Sequence, residues 1–327
     1  MEGKTTMKAV QIVEWGKLEL KEVPIPKPGT NQILVKVHYA PINPSDVMSV
    51  KGGYPSGFVI PCSAGFEGSG EVVAVGEGLV VPHKIGDKVS IVTGGTWAEY
   101  AVVVSFMATP MLSENTFQDA ACHFVNPGTV YCFLDLLKKQ NKKSVIHTAG
   151  ASALGKMLIK ACKAEGIKTI NIVRNKKYFP ELTELGSDYN LDMTDKDFKT
   201  DLAKVAKEFD ATVCFEAVAG ELTAQLSTGM PEGSTIYVYG GLSGFTCNGI
   251  SVGDLIFRRQ TVTGFWLSAY SKTFSPTEIG LMGQTIQKGL KTIYKTETKE
   301  FLPSEFEKAI EHSNNSASIA KALFKFN

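Results

Sequence analysis

The sequence predicts an α/β protein: a compact, barrel-like β-rich part, followed by a parallel sheet wound with helices. Three observations lead there. Short Val-rich stretches punctuated by Gly and Pro fill the chain up to about residue 120. The character changes after Asp119, and from Ser144 onward short apolar runs alternate with amphipathic stretches at a spacing that marks strand–helix units. Between residues 144 and 155, a short apolar strand runs into a small-residue turn that opens an amphipathic helix.

In the first part, strands are expected at Lys8–Val13, Gln32–His38, Gly70–Val75 and Lys88–Thr93, where β-branched residues favour a pleated, half-buried surface. Turns separate them at Pro26-Lys-Pro-Gly29, Gly76-Glu-Gly78 and Gly94-Gly95. Helices are expected at Ala120–His123 and Pro127–Leu137. The alternating part then reads as strand Val145–His147, helix Leu154–Glu165, strand Thr169–Val173, helix Asp197–Glu208, and strands Thr212–Phe215 and Ile236–Tyr239. Beyond about residue 275 come helices Pro276–Lys288 and Pro303–His312 and a strand at Lys321–Lys325. No internal repeat or low-complexity tract interrupts this order.

Composition removes several function classes. With 43% hydrophobic and 20% charged residues, the 327-residue chain is neither disordered nor fibrous, and its length suits about two domains. Its net charge of +1 gives no global basic field for nucleic acid or an anionic membrane. No apolar run reaches the ~18–20 residues of a membrane helix. The segment from Met1 to Lys8 lacks the apolar core of a secretory signal and the arginine-rich pattern of a transit peptide, so a cytosolic address is expected. Cys62, Cys122, Cys132, Cys162, Cys214 and Cys247 form no Cys-x-x-Cys pair. They read as buried thiols of a reducing compartment, not as a zinc ribbon.

The strongest chemical signal is Ser144-Val-Ile-His-Thr-Ala-Gly-Ala-Ser-Ala-Leu-Gly155. Gly150, Ser152 and Gly155 occupy the offsets of a G-x-G-x-x-G turn, with Ser replacing the middle glycine. Ala153 and Leu154 follow at the start of the helix. Such a turn brings backbone and a helix N-terminus close to a pyrophosphate, and the Ser152 hydroxyl can itself donate to phosphate. A bare strand–helix turn has the same pattern, so the next strand matters. It ends in Arg174, about 20 residues on, where NAD-specific folds carry an acidic residue for the ribose hydroxyls. Arg174 and nearby Lys176 and Lys177 instead suit a 2′-phosphate, which favours NADPH.

These motifs resemble the medium-chain dehydrogenase/reductase superfamily, and the resemblance covers essentially the whole chain. Asn43-Pro-Ser-Asp46, Gly65-Phe-Glu-Gly68-Ser-Gly70, Gly86-Asp-Lys-Val89 and Gly95-Thr-Trp-Ala-Glu-Tyr100 are similar to its GroES-like domain. The resemblance implies a GroES-like catalytic domain over residues 1–122 and 275–327 and a Rossmann domain over residues 123–274. The superfamily's zinc alcohol dehydrogenases have Cys where Asn43 stands and His where Phe66 stands, and a four-cysteine lobe that this chain lacks. It therefore resembles the zinc-free branch of quinone oxidoreductases and 2-enoyl thioester reductases, with no metal expected. Ala149–Gly155, Thr169-Ile-Asn-Ile-Val-Arg174 and Gly264-Phe-Trp-Leu267 are closest to the enoyl thioester reductases; Ala153-Leu154 and Lys176 depart from their pattern.

The resemblance also implies roles. Tyr54, in Pro44-Ser-Asp46-Val-Met-Ser-Val-Lys-Gly-Gly-Tyr54, stands where the presumed proton donor of the enoyl thioester reductases stands. A phenol ionises only near pH ~10, so it holds the proton a donor must supply; a loop aromatic covering a pocket would look the same. Asn43 is expected either to bond the nicotinamide ribose or the substrate, or to cap its loop. Thr129, in Asn126-Pro-Gly-Thr129, is expected beside the nicotinamide or as a helix cap. Tyr239, Gly240 and Gly241 are expected along the cofactor. Phe265 and Leu267 offer backbone amides, and Trp266 an acyl-pocket wall, unless all three are plain core. Asp46 reads as an Asx-type loop partner, Glu67 as an acceptor for buried donors, and His147 as structural. The expected activity is NADPH-dependent reduction of the C=C of α,β-unsaturated carbonyl compounds, 2-enoyl thioesters first. Quinone or alkenal reduction is the alternative, and an NADPH-binding, non-catalytic crystallin-like role the second. A homodimer acting on small molecules, with no nucleic acid or membrane partner, completes the expectation.

Overall fold

The computed structural model describes residues 4–78, 82–316 and 319–326; the first three residues of the N-terminal segment lie outside the described residues. The chain divides into two compact units, residues 1–128 with 276–327, and residues 129–275.

The first unit begins with β1 (Thr6–Glu14), β2 (Lys17–Pro24) and β3 (Gln32–Pro41), then the short helix α1 (Pro44–Val50). β4 (Cys62–Ser63), β5 (Glu67–Val75), β6 (Lys88–Val92), β7 (Tyr100–Val104) and β8 (Ala108–Pro110) follow, and then α2 (Phe117–Ala121). The helix expected at Ala120–His123 starts earlier because Thr116 and Asp119 form a reciprocal capping box: the Asp119 amide donates to Thr116 Oγ1 at 3.1 Å and the Thr116 amide to Asp119 Oδ2 at 3.0 Å. Helix α3 (Val125–Lys139) carries the chain into the second unit.

There, β9 (Ser144–Thr148), α4 (Ala153–Ala164), β10 (Lys168–Val173), α5 (Phe179–Leu185), β11 (Tyr189–Asp192), α6 (Phe198–Glu208), β12 (Val213–Glu216), α7 (Glu221–Gly229), β13 (Thr235–Val238), α8 (Val252–Ile256), β14 (Thr261–Gly264) and α9 (Leu267–Tyr270) alternate. The chain returns to the first unit through α10 (Pro276–Gly289), β15 (Thr298–Phe301), α11 (Phe306–Ser316) and β16 (Lys321–Lys325).

Among the described residues, the first unit carries a sheet in the order β15-β16-β3-β5-β6-β8, with β7 also paired to β3, and a smaller sheet β2-β1-β4. Its core gathers Ile12, Ile33, Val35, Val72, Ile91, Trp97 and Phe324. Trp97 is fully buried and donates its indole N–H to the Pro41 carbonyl at 3.0 Å. In the second unit, the order β11-β10-β9-β12-β13-β14 is parallel throughout. Strand order reverses between β9 and β12, the Rossmann arrangement, which leaves ligand-binding loops at the carboxyl ends of the strands. Every residue of β9 and β12 is buried, as expected of strands covered by helices on both faces. The core on one side collects Ile146, Ile170, Ile172, Leu202, Cys214 and Leu226.

All six cysteines are free; four are buried, and burial pushes the Cys122 and Cys132 thiols up to about 12.

Candidate functional site

The parallel register of the second unit lines up the ends of its strands. Thr148 pairs with Ile172, Phe215 with His147, Val238 with Glu216, and Gly264 with Val238. The segments just beyond are therefore Ala149–Gly155 after β9, Arg174 after β10, Tyr239–Gly241 after β13 and Phe265–Leu267 after β14. The candidate cofactor residues among them share one edge of one sheet.

The turn after β9 is tight. Ala149 adopts a left-handed φ of 52°, and the Gly150 amide donates to the Ile172 carbonyl at 3.0 Å. A Cβ on Gly155 would lie 2.4 Å from the Gly150 carbonyl oxygen, so only glycine lets α4 start this close to the turn. Ser152 caps α4, its Oγ accepting the Gly155 amide at 3.1 Å. That leaves its hydroxyl proton free to be donated. The amides of Ala153 and Leu154 open a twelve-residue helix, where no preceding carbonyl of the helix can serve them. Backbone donors and the helix dipole suit a pyrophosphate here.

Arg174 is exposed at the end of β10 and makes no side-chain hydrogen bond or ion pair among the described residues. Lys176 is less available, because its ammonium sits 2.8 Å from Asp195 Oδ2. That pair raises the lysine's proton affinity, the hydrogen bond to Asp195 being the main cause. Lys177 lies over the Tyr178 ring, 5.0 Å from its centroid.

Tyr239 donates to or accepts from His147, whose Nε2 lies 2.8 Å from the phenol oxygen. Burial pushes His147 down to about 3, so the ring is neutral, and burial also raises the Tyr239 phenol. A Cβ on Gly240 would approach the Ala217 carbonyl to 2.8 Å, so the chain passes β12 only without a side chain there. Beneath these loops, the buried Phe133 ring stacks on Phe215 at 3.7 Å and meets Phe265 at 4.8 Å and Tyr239 at 5.1 Å edge-on. Glu216, which sequence reasoning missed, is fully buried at the end of β12. Its carboxylate accepts the amides of Val218 and Ala219 at 2.7 Å each, and so holds the turn at the strand-order reversal.

Three expectations change in detail. The Phe265 amide donates to the Val238 carbonyl at 2.8 Å, so the sheet has consumed it and it cannot serve a carboxamide. Trp266 is 40% exposed and caps α9 ahead of Leu267. It lines, with Lys139, Gln140, Tyr237 and Tyr270, an open cavity of about 480 Å³. Thr129 is buried four residues inside α3, which excludes the helix-cap reading.

In the first unit, Asn43 needs a larger correction. Its side chain has no exposed surface. Nδ2 donates to Glu67 Oε1 at 2.9 Å and Oδ1 accepts from the Lys321 ammonium. Its groups are spent inward, which favours the loop-capping reading over a bond to substrate or ribose. Its amide donates to Asp46 Oδ2 at 2.7 Å, the Asx-type bond expected at this loop. Glu67 does accept buried donors: Oε2 takes the amides of Phe124 at 2.8 Å and Val125 at 3.0 Å. Tyr54 follows α1 and is half-buried, its ring 5.4 Å from Phe66, which in turn lies 5.3 Å from Phe58. Lys321, buried at 6% exposure, was missed: it lies 278 residues from Asn43, beyond any local pattern.

Comparison with known proteins places these features. Residues 29–112 match the family described as alcohol dehydrogenase GroES-like domain, and residues 153–282 the one described as zinc-binding dehydrogenase. The chain is 33% identical over 270 residues to the mitochondrial enoyl-[acyl-carrier-protein] reductase of Rattus norvegicus, covering 80% of this chain and 71% of that one. The Homo sapiens protein of the same name is 32% identical, with the same coverage. A crystal structure from Mesorhizobium loti, assigned as an NADPH:quinone reductase, matches with a TM-score of 0.90 and 31% identity over the full length of both chains. The Escherichia coli quinone oxidoreductase complexed with NADPH shares the fold at a TM-score of 0.85 and 20% identity, covering 99% of this chain and all of that one. The residues here do not fit the zinc that one family description names. Phe66 has no donor atom and the Asn43 amide is engaged by an ammonium. Among the described residues, no group of three or more His, Cys, Asp and Glu side chains could hold a metal ion.

Proposed function

Because this chain belongs to the medium-chain dehydrogenase/reductase superfamily, in its enoyl reductase/quinone oxidoreductase type, we propose that it is a zinc-independent, NADPH-dependent reductase of the C=C of α,β-unsaturated carbonyl compounds, with 2-enoyl thioesters as the preferred class. The observation that carries the cofactor half is Arg174, exposed at the end of β10 and unpaired among the described residues, two residues past the Ile172–Thr148 pair that precedes the glycine turn. The substrate half is supported by the 33% identity to an enoyl-[acyl-carrier-protein] reductase.

NADPH, when bound, supplies the hydride for the β carbon. The chain's own residues do the rest. The Gly150–Gly155 turn and the head of α4 hold the pyrophosphate, Arg174 holds the 2′-phosphate, and Tyr239–Gly241 gives the cofactor a close backbone track. Without a metal, the developing enolate needs a side-chain or backbone donor, and Tyr54 is the group proposed to steady it and to deliver the proton to the α carbon. Asn43, Asp46 and Glu67 act behind it.

NADPH oxidation measured side by side with crotonyl-CoA, an alkenal and a small quinone tests this. The highest kcat/KM with crotonyl-CoA supports the reading. The highest with the quinone or alkenal favours the second reading, to which the Mesorhizobium loti relative points. Tight NADPH binding with no turnover on any of the three leaves a cofactor-binding protein.

We also propose a homodimer. β14 is an outer strand of its sheet, and Ile256 and Phe257 just before it are exposed; light scattering after size exclusion decides it. Cytosolic placement is likewise proposed, against curated relatives named mitochondrial. No helix of the described residues is long and apolar enough to cross a membrane, and cell fractionation is the test.

A further inference from the structure

We propose that Lys321 is a positioning residue for Tyr54: its buried ammonium locks Asn43 within a cluster that also holds Glu67 and Asp46, and this pinned cluster fixes the helix that leads into the tyrosine. The inference rests on the reductase reading for what Tyr54 does, and on the first unit's geometry for how it is held.

A lysine with 6% of its surface exposed must find compensation for the water it loses. Lys321 finds it in three residues on two elements, α1 and β5. Its ammonium donates to Asn43 Oδ1 at the head of α1. Glu67, at the start of β5, holds the other end of the same amide through Oε1 at 2.9 Å. Asp46, one turn into α1, is buried and accepts the Asn43 amide at 2.7 Å. The titratable groups around the lysine are thus Asp46, Glu67 and the buried Cys122 thiol, whose electrostatics include both Lys321 and Glu67. Burial, with the nearby Glu67 charge adding to it, pushes Asp46 up to about 7. Backbone pairing sets the same register: the Ile42 amide donates to the Ala322 carbonyl at 3.0 Å, which places residue 43 beside residue 321.

Two routes lead from the cluster to Tyr54. Along the chain, the far end of α1 is tied to the following turn, where the amides of Gly52 and Gly53 donate to the carbonyls of Ser49 at 2.9 Å and Met48 at 3.0 Å. Tyr54 is the next residue. Through space, the Tyr54 ring rests on Phe66, and Phe66 immediately precedes Glu67. The cluster therefore governs both the backbone that presents the phenol and the ring that supports it. An apolar side chain at 321 would leave Glu67 buried without its cation and Asn43 Oδ1 without its donor. The amide could then turn, and the head of α1 would loosen.

The test uses the full chain with NADPH present and three variants: Lys321→Met, Lys321→Arg and Lys321→Met with Glu67→Gln. Hydrogen exchange followed by mass spectrometry reads residues 44–54 directly. Exchange there should rise about tenfold or more in Lys321→Met, while peptides from β9 to β14 change by less than about twofold. Lys321→Arg, which keeps the charge, should stay within about threefold of wild type, and the double variant should recover part of the protection because both charges leave together. Turnover with crotonyl-CoA should fall about tenfold in Lys321→Met with the NADPH Kd within about twofold. If Lys321→Met does not fold, the double variant compared with Glu67→Gln alone carries the same measurement. Unchanged exchange at 44–54, a rise spread equally over both units, or an arginine variant as damaged as the methionine one overturns the proposal. A wild type inert toward all three substrate classes would sink the reductase reading and leave the exchange result standing.

Discussion

Cofactor choice should turn on Arg174. Its guanidinium is exposed and uncommitted among the described residues, whereas the neighbouring Lys176 is held by Asp195 at 2.8 Å, so Arg174 is the planar cation proposed to meet a 2′-phosphate. A hydrogen bond to a charged group contributes about 1.5–3 kcal/mol. Solvent and salt screen an exposed pair toward the lower end, and ~1.4 kcal/mol corresponds to about tenfold in an equilibrium constant. Arg174→Ala should therefore raise the KM for NADPH about tenfold and leave NADH within about twofold. The same difference should shrink in high salt, as the Debye length falls from ~10 Å at 0.1 M to ~3 Å at 1 M. Asp195→Asn gives the opposite perturbation: Lys176 loses its carboxylate, gains freedom to reach the phosphate, and should lower the NADPH KM modestly. Initial rates with both cofactors, at two salt concentrations, measure all of this. Equal losses with NADPH and NADH in Arg174→Ala would show that the residue acts through folding and would refute the assignment.

Other expectations follow from the same geometry. Tyr54→Phe removes one oxygen and keeps the ring on Phe66, so folding and NADPH affinity should survive while enoyl turnover drops about 100-fold, the lower end for acid–base assistance; quinones, whose oxygens can take protons from solvent, should lose less, and wild-type enoyl turnover under chemistry-limited conditions would leave Tyr54 as a pocket wall. Metal emission on purified protein should show far less than one zinc per chain, and a stoichiometric, chelator-sensitive zinc would overturn the zinc-free mechanism. Burial holds His147 down to about 3. An unfolded histidine takes a proton near pH ~6.5, so its contribution to stability is full above that value and is lost as pH falls. His147→Gln should therefore unfold less steeply on acidification than wild type, by about 1.4 kcal/mol per pH unit between about pH 6.5 and 4, and denaturant titrations with parallel slopes would contradict the buried neutral ring.

The fold was legible where one local rule decided each element. β9 and β12 carry short apolar runs, Val145-Ile146 and Val213-Cys-Phe215, and are buried along their whole length because both faces are covered; their spacing from the intervening helices announces a parallel sheet. The edges were not legible. β11 is Tyr-Asn-Leu-Asp and β14 is Thr-Val-Thr-Gly, compositions that lack an apolar run and pass for loop when read alone. Each becomes a strand by pairing on one side with a neighbour already in place. α1 was hidden for a different reason. Its seven residues are too few to show a helical period, and it is stabilised by the Asn43–Asp46 bond and by what holds Asn43.

The same distinction separates the two halves of the site. A phosphate site needs a turn, a helix start and a cation, all within some thirty residues, so candidates such as Gly150, Ser152, Gly155 and Arg174 can be named from sequence alone. What those residues do in the chain follows from local geometry, such as the 2.4 Å approach that excludes any side chain at Gly155. Asn43 shows the other case. Its identity says only that it replaces a thiolate; the direction of its amide depends on Glu67, 24 residues away, and on Lys321, 278 residues away. A polar side chain at this position can face a ligand or face the core, and the choice is made by whichever buried charge needs it more. An ammonium and a carboxylate with no water to turn to are such a need. Asn43 thus does not face a neutral gap: its amide is held between the Glu67 carboxylate and the Lys321 ammonium that β16 supplies.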